Sequence, residues 1–449
     1  MTPELIARYD QRVPRYTSYP TAPQFSDSLT PDIYRAWLAA LDPAEPVSIY
    51  LHVPFCSELC WYCGCHTTVA RGYSAIAHYT RLLQQEITLV AEALPQGTMV
   101  SHIHWGGGTP TILDPQDMLS VMTLLQTRFR FLPQTQTAVE IDPRVLTPAH
   151  VDAMVRGGLT RASLGVQDFN PTVQESINRV QSFETTQNAM RWLREGGVSG
   201  INLDLMYGLP HQTAESVVDG MVRVLELEPD RLALFGYAHV PWMKKHQQLI
   251  PERLLPDPTE RVRQLEAATE FLENNGYVAI GIDHFAKPDD DLVKAQQHGR
   301  LHRNFQGYTT DEASTLIGLG ASAIGSLPQG YVQNAAAVAR YLELVGSGKP
   351  AISRGVALDD DDRLRRAIIE RLMCDFHVDI ETIEKKCGME GNDFSEELAR
   401  IDALAVDGIV NRDGKTITLP KNARQLVRHV CAVFDRYFAV TANSYSKAL

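Results

Sequence analysis

The sequence predicts an α/β protein of parallel βα units, followed by a smaller, mainly helical, winged-helix-like domain, and three observations predict it. From residue 47 to about 238, short apolar or β-branched runs alternate with longer segments of helical spacing. Polar residues gather where those runs end. After residue 238 the rhythm gives way to the proline-bearing stretch "HVPWMKKHQQLIPERLLPDPT" and then to helical patterns.

Taken in order, the chain starts with "MTPELIARYDQRVPRYTSYPTAP", which is charged, rich in proline and tyrosine, and holds no apolar core of a signal peptide. Six strand candidates follow: "VSIYLHV", "MVSHIHWGG", "TAVEID", "ASLGVQ", "GINLDLMYG" and "RLALFGYA". Between the first two, Ile76, Tyr79, Leu83, Ile87, Val90 and Leu94 recur at spacings of three and four, the stripe of an amphipathic helix. Strands alternating with helices imply parallel units joined by right-handed crossovers, in a barrel or a doubly wound sheet. A helix is expected next, with Thr259 as its N-cap and Gly276 as its stop. Near the end, "GIVNRDGKTITLP" reads as a hairpin turning at Asp413-Gly414, the wing of the last domain. The acidic run at 359 to 362 suits that wing to packing rather than to DNA.

Of the 449 residues 44% are hydrophobic and 21% charged, the balance of a folded globular chain. A formal charge of -12 opposes binding to nucleic acid. No segment reaches the roughly 18 apolar residues of a membrane-spanning helix. The reading is therefore a cytoplasmic protein, with no nucleic acid partner and no membrane span. In a reducing compartment a tight cysteine cluster points to a metal or to catalysis rather than to disulfides. Cys374, Cys387 and Cys431 are scattered and read as small buried hydrophobes.

The chemistry-bearing residues sit where the strands end. A cysteine loop follows the first, "GGGTP" (Gly106 to Pro110) the second, and then come Glu140, Gln167, Asp204, and Ala238 with His239. Parallel α/β folds collect their binding groups at this carboxyl end. Singly, each has a bland reading, as a loose turn, a helix cap or a surface acid. Six on one rim are hard to attribute to chance.

The window "PFCSELCWYCGC" holds Cys56, Cys60, Cys63 and Cys65. Cysteine thiolates ligate iron–sulfur clusters. Structural zinc would also accept four thiolates, although it usually takes pairs from separated knuckles. Three cysteines on a [4Fe-4S] cluster leave one iron open, and the CxxxCxxC spacing of Cys56, Cys60 and Cys63 is the pattern of radical S-adenosylmethionine (SAM) enzymes.

The likeness narrows further. "YLHVPFCSELCWYCGC", "HWGGGTPT", "VEIDPR", "GVQDFNPTVQESINRVQ", "INLDLMYGLPHQT", "GYAHVPW", "HFAKPDDDL" and "LHRNFQGYTT" resemble the oxygen-independent coproporphyrinogen III oxidase family over essentially the full length. The resemblance implies a partial (β/α)6 TIM-like barrel that holds a [4Fe-4S] cluster and two SAM molecules. It implies Cys56, Cys60 and Cys63 as metal ligands. Tyr50, Gly107, Glu140 and Ile324 are implied at the SAM on the cluster. Tyr62, Gly108, Thr109, Gln167, Arg179, Asp204 and Ala238 are implied at the second SAM, with Tyr62 standing where the family usually carries Phe. The implied reaction turns two propionates of coproporphyrinogen III into vinyl groups, giving protoporphyrinogen IX and carbon dioxide. A carbon radical takes a β-hydrogen that no side-chain base could remove, with an unidentified electron donor and acceptor completing the cycle. A monomer is implied as well.

Four propionates call for cationic or hydrogen-bonding partners, and Arg12, Arg15, Tyr16 and Tyr19 are expected to supply them from an arm that closes over the substrate; the alternative is a surface arm that only wraps the barrel. Cys65, with His52, is expected to serve turnover rather than to bind iron. The expected domains are a substrate-covering segment (1–45), the radical SAM partial barrel (46–285), a barrel extension and linker (286–350) and the helical carboxyl-terminal domain (351–449). A haem chaperone of the same superfamily is the rival reading; it shares the three cysteines and lacks a counterpart of Cys65.

Overall fold

All six expected strands form in the computed structural model, which describes residues 1–438 and 445–447. They are β1 (Val47–Val53), β2 (Met99–Gly107), β3 (Arg130–Ile141), β4 (Arg161–Gln167), β5 (Gly200–Tyr207) and β6 (Arg231–Gly236). They lie side by side in chain order, each parallel to the next. Parallel neighbours need a crossover. Helices Tyr73–Ala93, Pro115–Arg128, Pro148–Arg156, Phe183–Glu195 and Ala214–Leu225 supply one in each gap.

Six further strands extend this sheet: β7 (Val278–Ile280), β8 (His284–Ala286), β9 (Thr315–Leu319), β10 (Ile324–Leu327), β11 (Gly330–Asn334) and β12 (Ile352–Ala357). The spatial order is β12-β11-β10-β9-β1-β2-β3-β4-β5-β6-β8-β7, so the sheet ends in two edges and the barrel stays partial. β9 is parallel to β1, with Tyr50 opposite Gly318, so the parallel set has seven strands rather than six. Part of the stretch read as extension and linker is thus sheet. β9 is five residues long and buried throughout, too short for alternation to show.

The main core lies outside the strands, between sheet and helices. Ile49, Leu51, Trp105, Leu164 and Leu203 point there and meet the helix stripe of Tyr79, Leu83 and Ile87. The expected stripe between β1 and β2 is therefore the buried face of its helix. The helix Pro258–Asn274 is capped by Asp257 rather than by Thr259: the Asp257 carboxylate accepts from Glu260 N–H, and Pro258 occupies the first turn. Gly276 follows with φ +87°, the left-handed conformation of a helix stop.

The carboxyl-terminal region packs the helices Asp360–Asp375, Ile380–Cys387, Ser395–Val406 and Val427–Val433 around a three-stranded sheet. That sheet comprises β13 (His377–Asp379), β14 (Asn411–Asp413) and β15 (Thr416–Thr418), in the order β13-β15-β14. Asp413 pairs with Thr416, so the hairpin turns at Gly414-Lys415, one residue later than expected. The acidic run is used in packing, since Asp359 caps its helix and Asp359 and Asp361 pair with Arg436. Cys374 and Cys431 are buried as expected, whereas Cys387 at a helix end is exposed. The amino-terminal arm joins this domain: Ile6, Tyr9, Val13, Tyr16 and Tyr19 share its core with Leu364 and Phe376. No helix among the described residues is long and apolar enough to cross a membrane.

Candidate active site

The parallel strands have two unlike faces. On β5, Ile201, Leu203 and Leu205 are buried in the outer core, while Asn202, Asp204 and Met206 alternate with them and face inward. β4 repeats the pattern with Ser163, Gly165 and Gln167 facing inward. A period of two thus turns an apolar strand into a wall with one polar face. Asp204 lies in the middle of β5, not at its end as the sequence suggested.

At the carboxyl ends of the strands the inward faces enclose a cavity of about 540 Å³. Cys56, Cys60, Cys63 and Cys65 line it together, as do Gly107, Gly108 and Thr109 on the facing turn. Tyr62, Glu140, Gln167, Arg179, Asp204 and Ala238 complete it. Tyr50 and Ile324 lie beside it rather than in its wall. Gly318, opposite Tyr50, leaves no room for a side chain against the Ile324 carbonyl group, so the two expected contacts are near neighbours across β9.

The cysteine loop is held by its backbone. Trp61 N–H donates to the Ile177 carbonyl at 2.9 Å, and Asn178 Nδ2 to that of Leu59 at 2.9 Å. Side chains of the segment after β6 reach the other half: Gln247 Nε2 donates to Tyr62 O at 2.9 Å, His246 Nε2 to Cys63 O at 2.7 Å and Lys244 Nζ to Cys65 O at 3.0 Å. The thiols are met by donors. Thr109 Oγ1 lies 3.6 Å from Cys56 Sγ, and two guanidinium groups reach Cys60 Sγ, Arg179 at 3.6 Å and Arg144 at 3.7 Å. A hydrogen bond with Cys65 helps to draw the Cys63 thiol down to about 7, and the same bond pushes Cys65 up.

A cluster fits this donor set. Three thiols face one space, cations and a hydroxyl attend them, and a β-carbon at Gly108 would stand 2.5 Å from Phe55 O and 3.0 Å from Cys56 Sγ. Only bare backbone lets the "GGGTP" turn approach so closely. Among the described residues no three His, Cys, Asp or Glu side chains converge to hold a single metal ion.

Glu140 takes a hydrogen bond from Gly107 N–H at 3.3 Å and lies 3.0 Å from His104 Nε2, which leaves a carboxylate beside the glycine turn. Asp142 is buried, yet the salt bridges to Arg144 at 2.7 Å and Arg179 at 3.3 Å outweigh that burial and hold it below the usual carboxylate range. Burial raises Asp204 to about 6, although Ser163 Oγ and Asn202 Nδ2 donate to it at 2.7 and 2.8 Å. Gln167 has φ +70°, a left-handed backbone at a bulge between β4 and β5. Such strain in a residue with a side chain costs about 1–3 kcal/mol and is characteristic of functional sites.

His52 has no free nitrogen: Nε2–H donates to the His66 carbonyl at 3.0 Å, so Nδ1 accepts from Tyr50 O–H at 2.9 Å. Burial lowers its pKa and keeps it neutral. It does not line the cavity and acts as a brace for the cysteine loop. Of the four expected substrate contacts, Arg15 lines the cavity, and Arg12 lies 4.3 Å over the Trp242 ring. Tyr16 and Tyr19 line a different cavity, of about 310 Å³; Tyr16 O–H donates to Asp435 at 3.1 Å, and Tyr19 Oη accepts from Arg436 N–H at 3.2 Å. Asp142, Arg144, Ser163, Asn202 and the carbonyl-gripping trio of Lys244, His246 and Gln247 were not singled out from the sequence. The polar insertions in "RASLGVQ" and "GINLDLMYG" were the available signal for Ser163 and Asn202.

Residues 50–221 match the Radical SAM superfamily and residues 358–426 the HemN C-terminal domain. Over all of both chains the protein is 48% identical to the oxygen-independent coproporphyrinogen III oxidase of Bradyrhizobium diazoefficiens. The chain belongs to the oxygen-independent coproporphyrinogen III oxidase family. It is also 42% identical to the Escherichia coli K12 member of that family, over 98% of this chain and 96% of the other. The solved structure of coproporphyrinogen III oxidase (HemN) from Escherichia coli, titled a radical SAM enzyme, superposes with a TM-score of 0.90, at 40% identity, over 95% of this chain and 100% of that one. Members of this family work with a [4Fe-4S] cluster and SAM, the groups that the cavity's thiols and glycine turn fit.

Proposed function

We propose that this chain carries out the radical SAM oxidative decarboxylation of coproporphyrinogen III to protoporphyrinogen IX, converting two propionates to vinyl groups in porphyrin synthesis. The observation that supports it most is the joint cavity: three thiols, a glycine turn that no side chain could replace, and buried charged groups all face one space of about 540 Å³. When bound, the cluster and SAM supply a carbon radical able to take an unactivated hydrogen, chemistry outside the reach of side-chain bases.

The protein's part is placement. Cys56, Cys60 and Cys63 would hold the cluster. Glu140 and the Gly107 backbone, with Tyr50 and Ile324 behind them, would receive the first SAM. Tyr62, Gly108, Thr109, Gln167, Arg179, Asp204 and Ala238 would hold a second. Arg179, fixed by Asp142 and the Gly165 carbonyl at 2.6 Å, offers a rigid cation to a carboxylate. Cys65, exposed on the cavity wall, would meet the substrate, while His52 positions the loop that carries it. In this reading residues 46–285 form the catalytic barrel, 286–350 its extension and linker, 1–45 the covering segment and 351–449 the helical carboxyl-terminal domain.

Anaerobic protein reconstituted with iron and sulfide, then given SAM, a reductant and coproporphyrinogen III, is expected to yield a product lighter by two carbon dioxide units together with 5'-deoxyadenosine. Haem retention without SAM cleavage would replace this reading by the chaperone. Equilibrium dialysis is expected to find two SAM per chain; a single one would remove the second site.

A further inference from the structure

Next to the reaction cavity lies a second, smaller one of about 70 Å³, and five cations from five separate segments line it: Arg15, Arg261, Arg303, Arg428 and Lys447. Arg15 and the stretch Phe235 to Ala238 line both cavities, so the two adjoin. Among the described residues Asp283 is the carboxylate in its wall, and it is already shared. One of its oxygens takes His284 Nδ1–H at 2.6 Å, and the other lies 3.7 Å from Arg303 Nη2. Lys447 pairs with Asp10.

The arginines spend part of their hydrogen-bonding capacity on neutral groups. Arg15 Nη2 donates to Gly236 O at 3.2 Å and Arg261 Nη1 to Tyr237 O at 2.9 Å. Among the described residues Nε and Nη1 of Arg303, whose side chain is only 6% exposed, are buried without a hydrogen-bond partner, as is Arg261 Nε. Burial lowers Arg428 to about 10, whereas Arg15 is open to solvent on one side. Gathering like charges in a poorly hydrated space opposes folding unless an anion joins them.

We propose that this cluster is a carboxylate subsite that grips one propionate of the porphyrinogen while another propionate stands in the adjoining cavity. The inference rests on the substrate reading given above. Guanidinium forks match a carboxylate in shape and charge, and converging arms from the amino-terminal arm, the helix Pro258–Asn274, the strand His302–Asn304 and the helix Val427–Val433 would fix its position. The subsite would set which ring edge faces the cysteines.

The test is a fluorescence titration of the full-length, cluster-loaded protein with coproporphyrin III, the stable oxidised form of the substrate, and with its tetramethyl ester. Wild type is expected to prefer the free acid. Arg15→Gln and Arg261→Gln are each expected to weaken acid binding about ten- to a hundredfold, the worth of one charged hydrogen bond. Both should leave ester binding and SAM affinity unchanged, and Arg261→Lys should restore part of the loss. Acid affinity equal to wild type in both variants, with unchanged melting temperatures, would overturn the subsite. Loss of SAM affinity in the same variants would overturn it too, by giving the cations to the SAM carboxylate. Failure of wild type to bind coproporphyrin at all would instead defeat the substrate reading.

Discussion

The outer and inner faces of the same strands do opposite work. Outward, Ile201, Leu203 and Leu205 of β5 are closed off against helices. Inward, one residue further along each time, Asn202, Asp204 and Met206 meet open space. Stability and chemistry are thus separated by a single step in the chain. The difference teaches that a barrel of this kind is held together from outside, which leaves its interior free to be polar, strained and charged.

Substitutions on either side test that separation. The largest effect is expected on the inner side, at the cysteine loop: Cys65→Ser should abolish vinyl formation while iron and sulfide content stay at the wild-type level. Loss of iron would show that Cys65 belongs with the ligands. On the outer face Leu203→Ala should cost about 2–5 kcal/mol of stability in a urea titration, as buried leucines do. SAM affinity in the cold should hold; a matching fall in affinity would show that the faces are coupled.

The smallest effect is expected at Asp204, and it depends on pH. A carboxyl whose folded pKa is raised to about 6 destabilises the fold when ionised, so stability falls as pH rises from about 4 through 6. Asp204→Asn should match wild type near pH 4 and exceed it above pH 7, by about 3 kcal/mol. A variant less stable than wild type at pH 8 would show that burial does not govern this group. Its SAM affinity should fall all the same.

Much of this was legible in the sequence, for identifiable reasons. Five of the six parallel strands were read to within two residues at each end, because they are apolar or alternating runs; the third begins seven residues earlier than expected, at Arg130, since "RFLPQTQ" is mostly polar. β9 was missed because five buried residues leave no period to detect. Cys56, Cys60 and Cys63 declared themselves by spacing. The arginine cluster did not, since Arg15 and Arg428 are separated by most of the chain and only the fold brings them together. Tyr16 and Tyr19 stood out because the arm is rich in polar aromatics; their rings share the core of the last domain and also line a separate cavity of about 310 Å³.

The three side chains that clasp the cysteine loop from the segment after β6 all end on carbonyl oxygens and none on a thiol. Shape and ligation are therefore supplied by different atoms of the same loop. Tyr62, Cys63 and Cys65 are thus pinned at their carbonyl oxygens while their side chains stay free to face the cavity.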